Sequence, residues 1–140
     1  MSIYIILAFI VACSAQPGEP EQTEIVAAMN EASELALLMR SIHSDAKDWR
    51  KAIATGTLPT GEVDIYDALV QSKPTKAAVQ GPVFEGMARN YQRVIDSLFA
   101  ADTPEVAKLQ YNQVVVACLS CHEAYCPGPI PTIKKLRLPL

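Results

Sequence analysis

The sequence predicts an all-α protein, an antiparallel four-helix bundle whose second helix is short or broken. Three observations predict it. Apolar residues recur in steps of three and four through three long segments, which is the period of one stripe on a helix. Capping residues, Pro and Gly stand where helices should start and stop. No strand-like alternation flanks the cysteine cluster near the end of the chain. With 140 residues, the chain holds one domain once an N-terminal leader is set aside.

The leader comes first. Ile3 to Ala12 is almost wholly apolar, but the run is far shorter than the about 20 residues of a membrane-spanning helix. It matches the apolar region of an export signal. Residues 1–12 therefore read as a lipoprotein-type signal peptide, and Ile10-Val11-Ala12-Cys13 as a lipobox with Cys13 as the lipidated first mature residue. Ordinary cleavage after Ala15 is the rival. No Lys or Arg precedes the run, so the positive region of an export signal is reduced to the α-amine. Residues 13–22 are polar with Pro and Gly and read as a flexible tether. The expected location is the periplasm, with the protein tethered to a membrane through Cys13.

Residues 23–140 form the expected domain with a C-terminal tail. The first helix should run from about Thr23 to Ala54. Ile25, Ala28, Met29, Ala32, Leu35, Ala36, Met39, Ile42, Ala46, Trp49 and Ile53 form its stripe, and Gly56 and Pro59 end it. Asp64 to Gln71 reads as a short helix stopped by Lys73-Pro74, with a turn over Lys76 to Gln80. The next long helix should span Val83 to Ala100, burying Phe84, Met87, Tyr91, Val94, Ile95 and Leu98. The last begins at Asp102-Thr103-Pro104-Glu105, which supplies a cap, a Pro at the first helical position and an acid in the first turn. It should reach Tyr125 and stop before Pro127-Gly128-Pro129. The basic tail Lys134-Lys135-Leu136-Arg137 reads by default as solvated, with attraction to an acidic group as its rival. The net charge of −3 gives no sign of nucleic-acid binding.

The last helix carries the chemistry. Cys118-Leu119-Ser120-Cys121-His122 is a C-x-x-C-H run, the signature of covalent c-type haem attachment. Thiols three residues apart on a helix point to nearly the same side. They can add to the two vinyl groups on one edge of a porphyrin, and the adjoining imidazole of His122 can reach the iron. Ala107, Tyr111, Val114, Cys118, Cys121, His122 and Tyr125 share one face, which would put the porphyrin inside the bundle. Cys126 extends the cluster, so three thiols and an imidazole could instead hold zinc, and C-x-x-C alone also occurs in dithiol redox sites. A dithiol site of the thioredoxin kind wants a βαβ setting. A zinc knuckle usually sits in a tight turn. A helical pattern behind an export signal favours haem over both, which stay as rivals.

With these residues in hand, the chain resembles the class II cytochromes c, which comprise cytochrome c′ and its low-spin, Met-ligated relatives. The resemblance covers about residues 23 to 126. It rests on the late C-x-x-C-H, the order of the helices and Met39 in the first helix. It implies a four-helix bundle holding one covalent haem c on Cys118 and Cys121, with His122 as proximal iron ligand. In the low-spin relatives a first-helix Met supplies the sixth ligand, which would be Met39; in cytochrome c′ an apolar residue leaves that position open or blocked. Many cytochromes c′ carry Arg or Lys four residues after the ligating His, where this chain has Cys126, and their distinct second helix is weak here.

Individual residues have rival readings. Met39 is either the sixth ligand or a space-filling core methionine. Met29 and Met87 read as core; Met29 lies about 15 Å along the helix from Met39, too far to share its site. His43, one turn after Met39, is the other histidine of the chain and makes bis-His ligation the rival. Trp49 reads as core packing, and Tyr111 and Tyr125 are candidates for contact with the porphyrin. Cys126 is a buried free thiol, a redox-sensitive group or half of an intermolecular bridge, which would make a homodimer. The function expected is periplasmic electron transfer between redox partner proteins. The rivals are a five-coordinate NO- or CO-binding protein and a non-haem zinc or redox module. No catalytic acid or base accompanies the motif, so an enzyme is not expected.

Overall fold

In a computed structural model, residues 32–60 and 64–140 are described. The signal peptide, the tether, Cys13 and Met29 lie outside them. The regular elements of the described residues are all helical: α1 (Glu34–Ala54), α2 (Tyr66–Gln71), a 3-10 turn at Ala77–Val79, α3 (Pro82–Phe99), α4 (Pro104–Tyr125) and α5 (Ile130–Lys134). None of these helices is long and apolar enough to cross a membrane.

The all-α bundle is as expected, and α3 and α4 fall within a residue of their expected ends. Thr103 caps α4 by accepting from the Val106 N–H at 3.2 Å, with Pro104 at the first helical position. Pro82 plays the same part in α3, entered through Gly81 at a positive φ of 145° that other residues rarely adopt. Helix α1 differs from expectation. It starts at Glu34, because Ser33 takes an extended conformation and its Oγ accepts from the Ala36 N–H at 3.2 Å. Serine competes well for this capping role. The same corner is clamped to the segment after α2: the Leu35 N–H donates to the Lys73 carbonyl, the Lys73 N–H to Glu34 Oε2, and Thr75 Oγ1 to Ser33 Oγ.

Helix α2 is short but anchored. The N–H groups of Ile65 and Tyr66 both donate to Gln92 Oε1 on α3, at 2.7 and 3.1 Å. That satisfies backbone donors which a helix start leaves unpaired. The most extensive packing is between α3 and α4, joined by the short Ala100–Thr103 link, and α1 lies across α4. Ile95, Leu98, Ala107, Tyr111, Val114 and Val115 form the driest part of the core. Trp49 packs edge-on against Phe99 at 5.4 Å between ring centres, the core role expected of it.

The tail is not a solvated strand. Its backbone turns into α5, and Ile133, Leu136 and Leu138 are buried. The Asn112 amide donates to the Leu138 carbonyl and accepts from the Leu138 N–H, both at 3.0 Å, and Arg50 Nε donates to the Leu136 carbonyl at 3.1 Å. Leucines interleaved with the lysines drive this docking while Lys134 and Lys135 stay exposed. The docked tail also explains why α4 is buried more widely than one stripe predicts. Asn112, Val115 and Leu119 share a second stripe, of which Asn112 meets Leu138 and the other two are buried.

Candidate functional site

Around the C-terminal half of α4 three helices leave a cleft between them. Cys118, Cys121, His122 and Ala117 line it from α4, Met39 and Ile42 from α1, Phe84, Met87, Ala88 and Tyr91 from α3, and Leu69 from α2. It is a narrow slot with a cavity volume of about 40 Å³. As it stands the cleft is smaller than the roughly 300–1,000 Å³ of preformed small-ligand and cofactor pockets. Half-buried Met39 and Met87 form the compliant part of its wall, because an unbranched thioether chain changes rotamer readily.

The helix places the motif as its spacing predicts. Both thiols are half-buried on the cleft wall, and both are free, as is the exposed thiol of Cys126. Burial pushes the Cys118 thiol up to about 12, only partly offset by the neighbouring Tyr91 hydroxyl; burial also raises Cys121. At neutral pH both thiols are therefore protonated, unlike the lowered thiols of disulfide oxidoreductases.

His122 is oriented by the end of its own helix. Its Nδ1 lies 3.0 Å from the Cys126 carbonyl. A carbonyl only accepts, so Nδ1 carries a proton, and the nitrogen left for a ligand is Nε2. The Cys126 N–H in turn donates to the His122 carbonyl at 2.9 Å, closing α4 at that point. A backbone carbonyl on one ring nitrogen is the usual support of a metal-binding imidazole. Cys126 thus serves the site through its backbone, and it does not line the cleft. No group of three or more His, Cys, Asp or Glu side chains among the described residues is arranged to hold a metal ion by itself.

Of the two candidates for a sixth ligand, Met39 lines the cleft and His43 does not. Met87, expected as plain core, lines it as well. Tyr111 is fully buried outside the cleft, donating to the Ala46 carbonyl at 2.9 Å. Tyr125 stands behind the cleft with its ring edge-on to Phe84, 5.9 Å between centres.

Tyr91 is the residue whose part the sequence did not reveal. Its periodicity marked it as buried, which it is, at 8% exposure. Yet its hydroxyl has no hydrogen-bond partner among the described residues. The oxygen lies against the Cys118 sulfur, and burial together with that sulfur raises its pKa well above the ordinary phenol value. The contact falls short of hydrogen-bond geometry, and a thiol is a weak partner in any case. Leaving a buried hydroxyl unpaired costs about 1–3 kcal/mol. A helix-periodicity argument sees only that position 91 faces inward, not that α3 sets it opposite Cys118.

These residues fit a c-type haem. Two thiols and an imidazole share one wall, the imidazole has a free Nε2, a methionine stands on the neighbouring helix, the remaining lining is apolar, and a buried hydroxyl lacks an acceptor. No known protein family, curated protein or solved structure matches the chain.

Proposed function

We propose that the protein is a monohaem c-type cytochrome that carries electrons in the periplasm. The observation that carries this reading is the meeting of Cys118, Cys121 and His122 with Met39 along one apolar cleft. Cys118 and Cys121 would hold the haem through thioether bonds, His122 Nε2 would bind the iron, and Met39 would supply the sixth ligand. When bound, the haem iron supplies one-electron oxidation and reduction. The rest is done by the chain. Cys126 fixes the His122 tautomer through its carbonyl, Phe84, Leu69 and Ile42 keep water from the slot, and the α3–α4 core keeps its walls in place. On this reading the redox partners are periplasmic proteins, and Cys13, when lipidated, tethers the domain to the membrane through residues 13–22.

A reduced-minus-oxidised absorption spectrum of protein made alongside a cytochrome c maturation system tests the reading. A c-type haem with low-spin bands is expected. A five-coordinate, high-spin iron would instead favour the gas-binding alternative. A colourless protein containing zinc, or nothing, would overturn the proposal.

A further inference from the structure

Among the described residues Tyr91 Oη is the one buried side-chain nitrogen or oxygen without a hydrogen-bond partner, and it belongs to the wall of the cleft. Packing alone does not call for it. Phe84 fills the same wall from the same helix and is buried without a hydroxyl. A buried polar atom with no protein partner, facing a binding cleft, marks a contact that the bound state completes.

The neighbour of the hydroxyl decides which contact. Tyr91 lies against the Cys118 sulfur. The other polar groups of the lining are Cys121 and His122; the His122 ring has Nδ1 committed to Cys126, and on the haem reading its other nitrogen would bind the iron. The propionates of a haem lie on the edge of the macrocycle opposite its vinyl groups, away from a cysteine that has taken up a vinyl. A thiol can donate or accept weakly, but a thioether has lost its proton and can only accept. We infer that Tyr91 donates a hydrogen bond to the Cys118 sulfur once that sulfur is a thioether, and thereby tunes the electron affinity of the cofactor. The inference rests on the covalent-haem reading above. The positive end of the O–H dipole, directed at the attachment edge, favours the state with the extra electron. Removing it favours the oxidised state.

The test is a redox titration of the haem-loaded wild type and Tyr91→Phe, after mass spectrometry has established one haem on each. At a fixed applied potential the reduced-to-oxidised ratio of Tyr91→Phe should fall roughly two- to tenfold, the upper end being about 59 mV for a one-electron couple. The carbon–sulfur stretching band in the resonance Raman spectrum should shift as well. In Cys118→Ala, where Cys121 alone holds the haem, adding Tyr91→Phe should leave the ratio unchanged, since the cycle isolates the pair. If that variant does not mature, the Raman band decides. A Tyr91→Phe protein with altered thermal stability but an unchanged ratio and band would overturn the inference. So would an effect that survives undiminished in the Cys118→Ala background. A wild type without covalent haem would overturn the underlying reading itself, and would be seen before any titration.

Discussion

The two halves of α4 are built differently on one continuous helix. In the first half Ala107, Tyr111 and Val114 are sealed in the core, and Tyr111, though polar, gives its proton to the Ala46 carbonyl at 2.9 Å. In the second half Cys118, Cys121, His122 and Tyr125 continue the same stripe but are only half-buried, along an open slot. The tyrosine facing that half, Tyr91, has no partner among the described residues. The first half is satisfied by the protein alone, whereas the second offers ligand atoms and a donor that the protein does not use. Stability therefore resides in one half and the proposed chemistry in the other, and substitutions should separate them.

The largest effect is expected in the slot. Met39→Ala should remove the low-spin spectrum and speed CO binding, because the sixth position opens. His43→Ala, outside the lining, should leave the spectrum nearly unchanged. The reverse pattern would reassign the site as bis-His. In the sealed half, Tyr111→Ala should cost about 3–5 kcal/mol in urea unfolding, as large-to-small core changes do, with little change in the spectrum of the protein that remains folded.

Much of this division was legible in the sequence. The stripe running from Ala107 through Tyr111 and Val114 to His122 and Tyr125 marked the inward face of α4, and Pro104 and Thr103 its start; but Tyr111 and Tyr125, candidates there for contact with the porphyrin, do not line the cleft. Helix α1 begins later than its apolar pattern suggests, because Ser33 captures the Ala36 N–H, a local competition that periodicity does not register. The docking of the tail was hidden because its lysines dominate its composition while Leu136 and Leu138 make its contacts. Met87 and Tyr91 were recognisable as inward-facing. Their place in the cleft depends on how α3 sits against α4, which no single-helix pattern encodes.

The tail offers a smaller test of the sealed half. Asn112→Ala removes both hydrogen bonds to Leu138, and a loss of about 1–3 kcal/mol is expected if the freed backbone groups stay buried. No change in the unfolding midpoint would mean that the tail docks without contributing to stability.

A further effect is set by pH. Before attachment, the Cys118 thiol is raised by burial from 9.0 to about 12. The folded state then holds its proton more tightly than the unfolded state. This contribution is complete below pH about 9 and is lost as pH rises toward about 12. A thioether does not titrate, so the attached form should lack this part of the alkaline loss. The raised tyrosines Tyr91 and Tyr111 act in the same direction in both forms. Comparing unfolding midpoints across this range, with and without haem, isolates the thiols; identical profiles would mean that the thiols are not consumed.

The most direct measurement of the central claim is the mass of the denatured protein after expression with a cytochrome c maturation system. The account predicts one haem added to the chain, retained through denaturation and acidic organic extraction, and missing from the Cys118→Ala, Cys121→Ala double variant. A wild-type protein that is processed and exported yet keeps the bare polypeptide mass would contradict it.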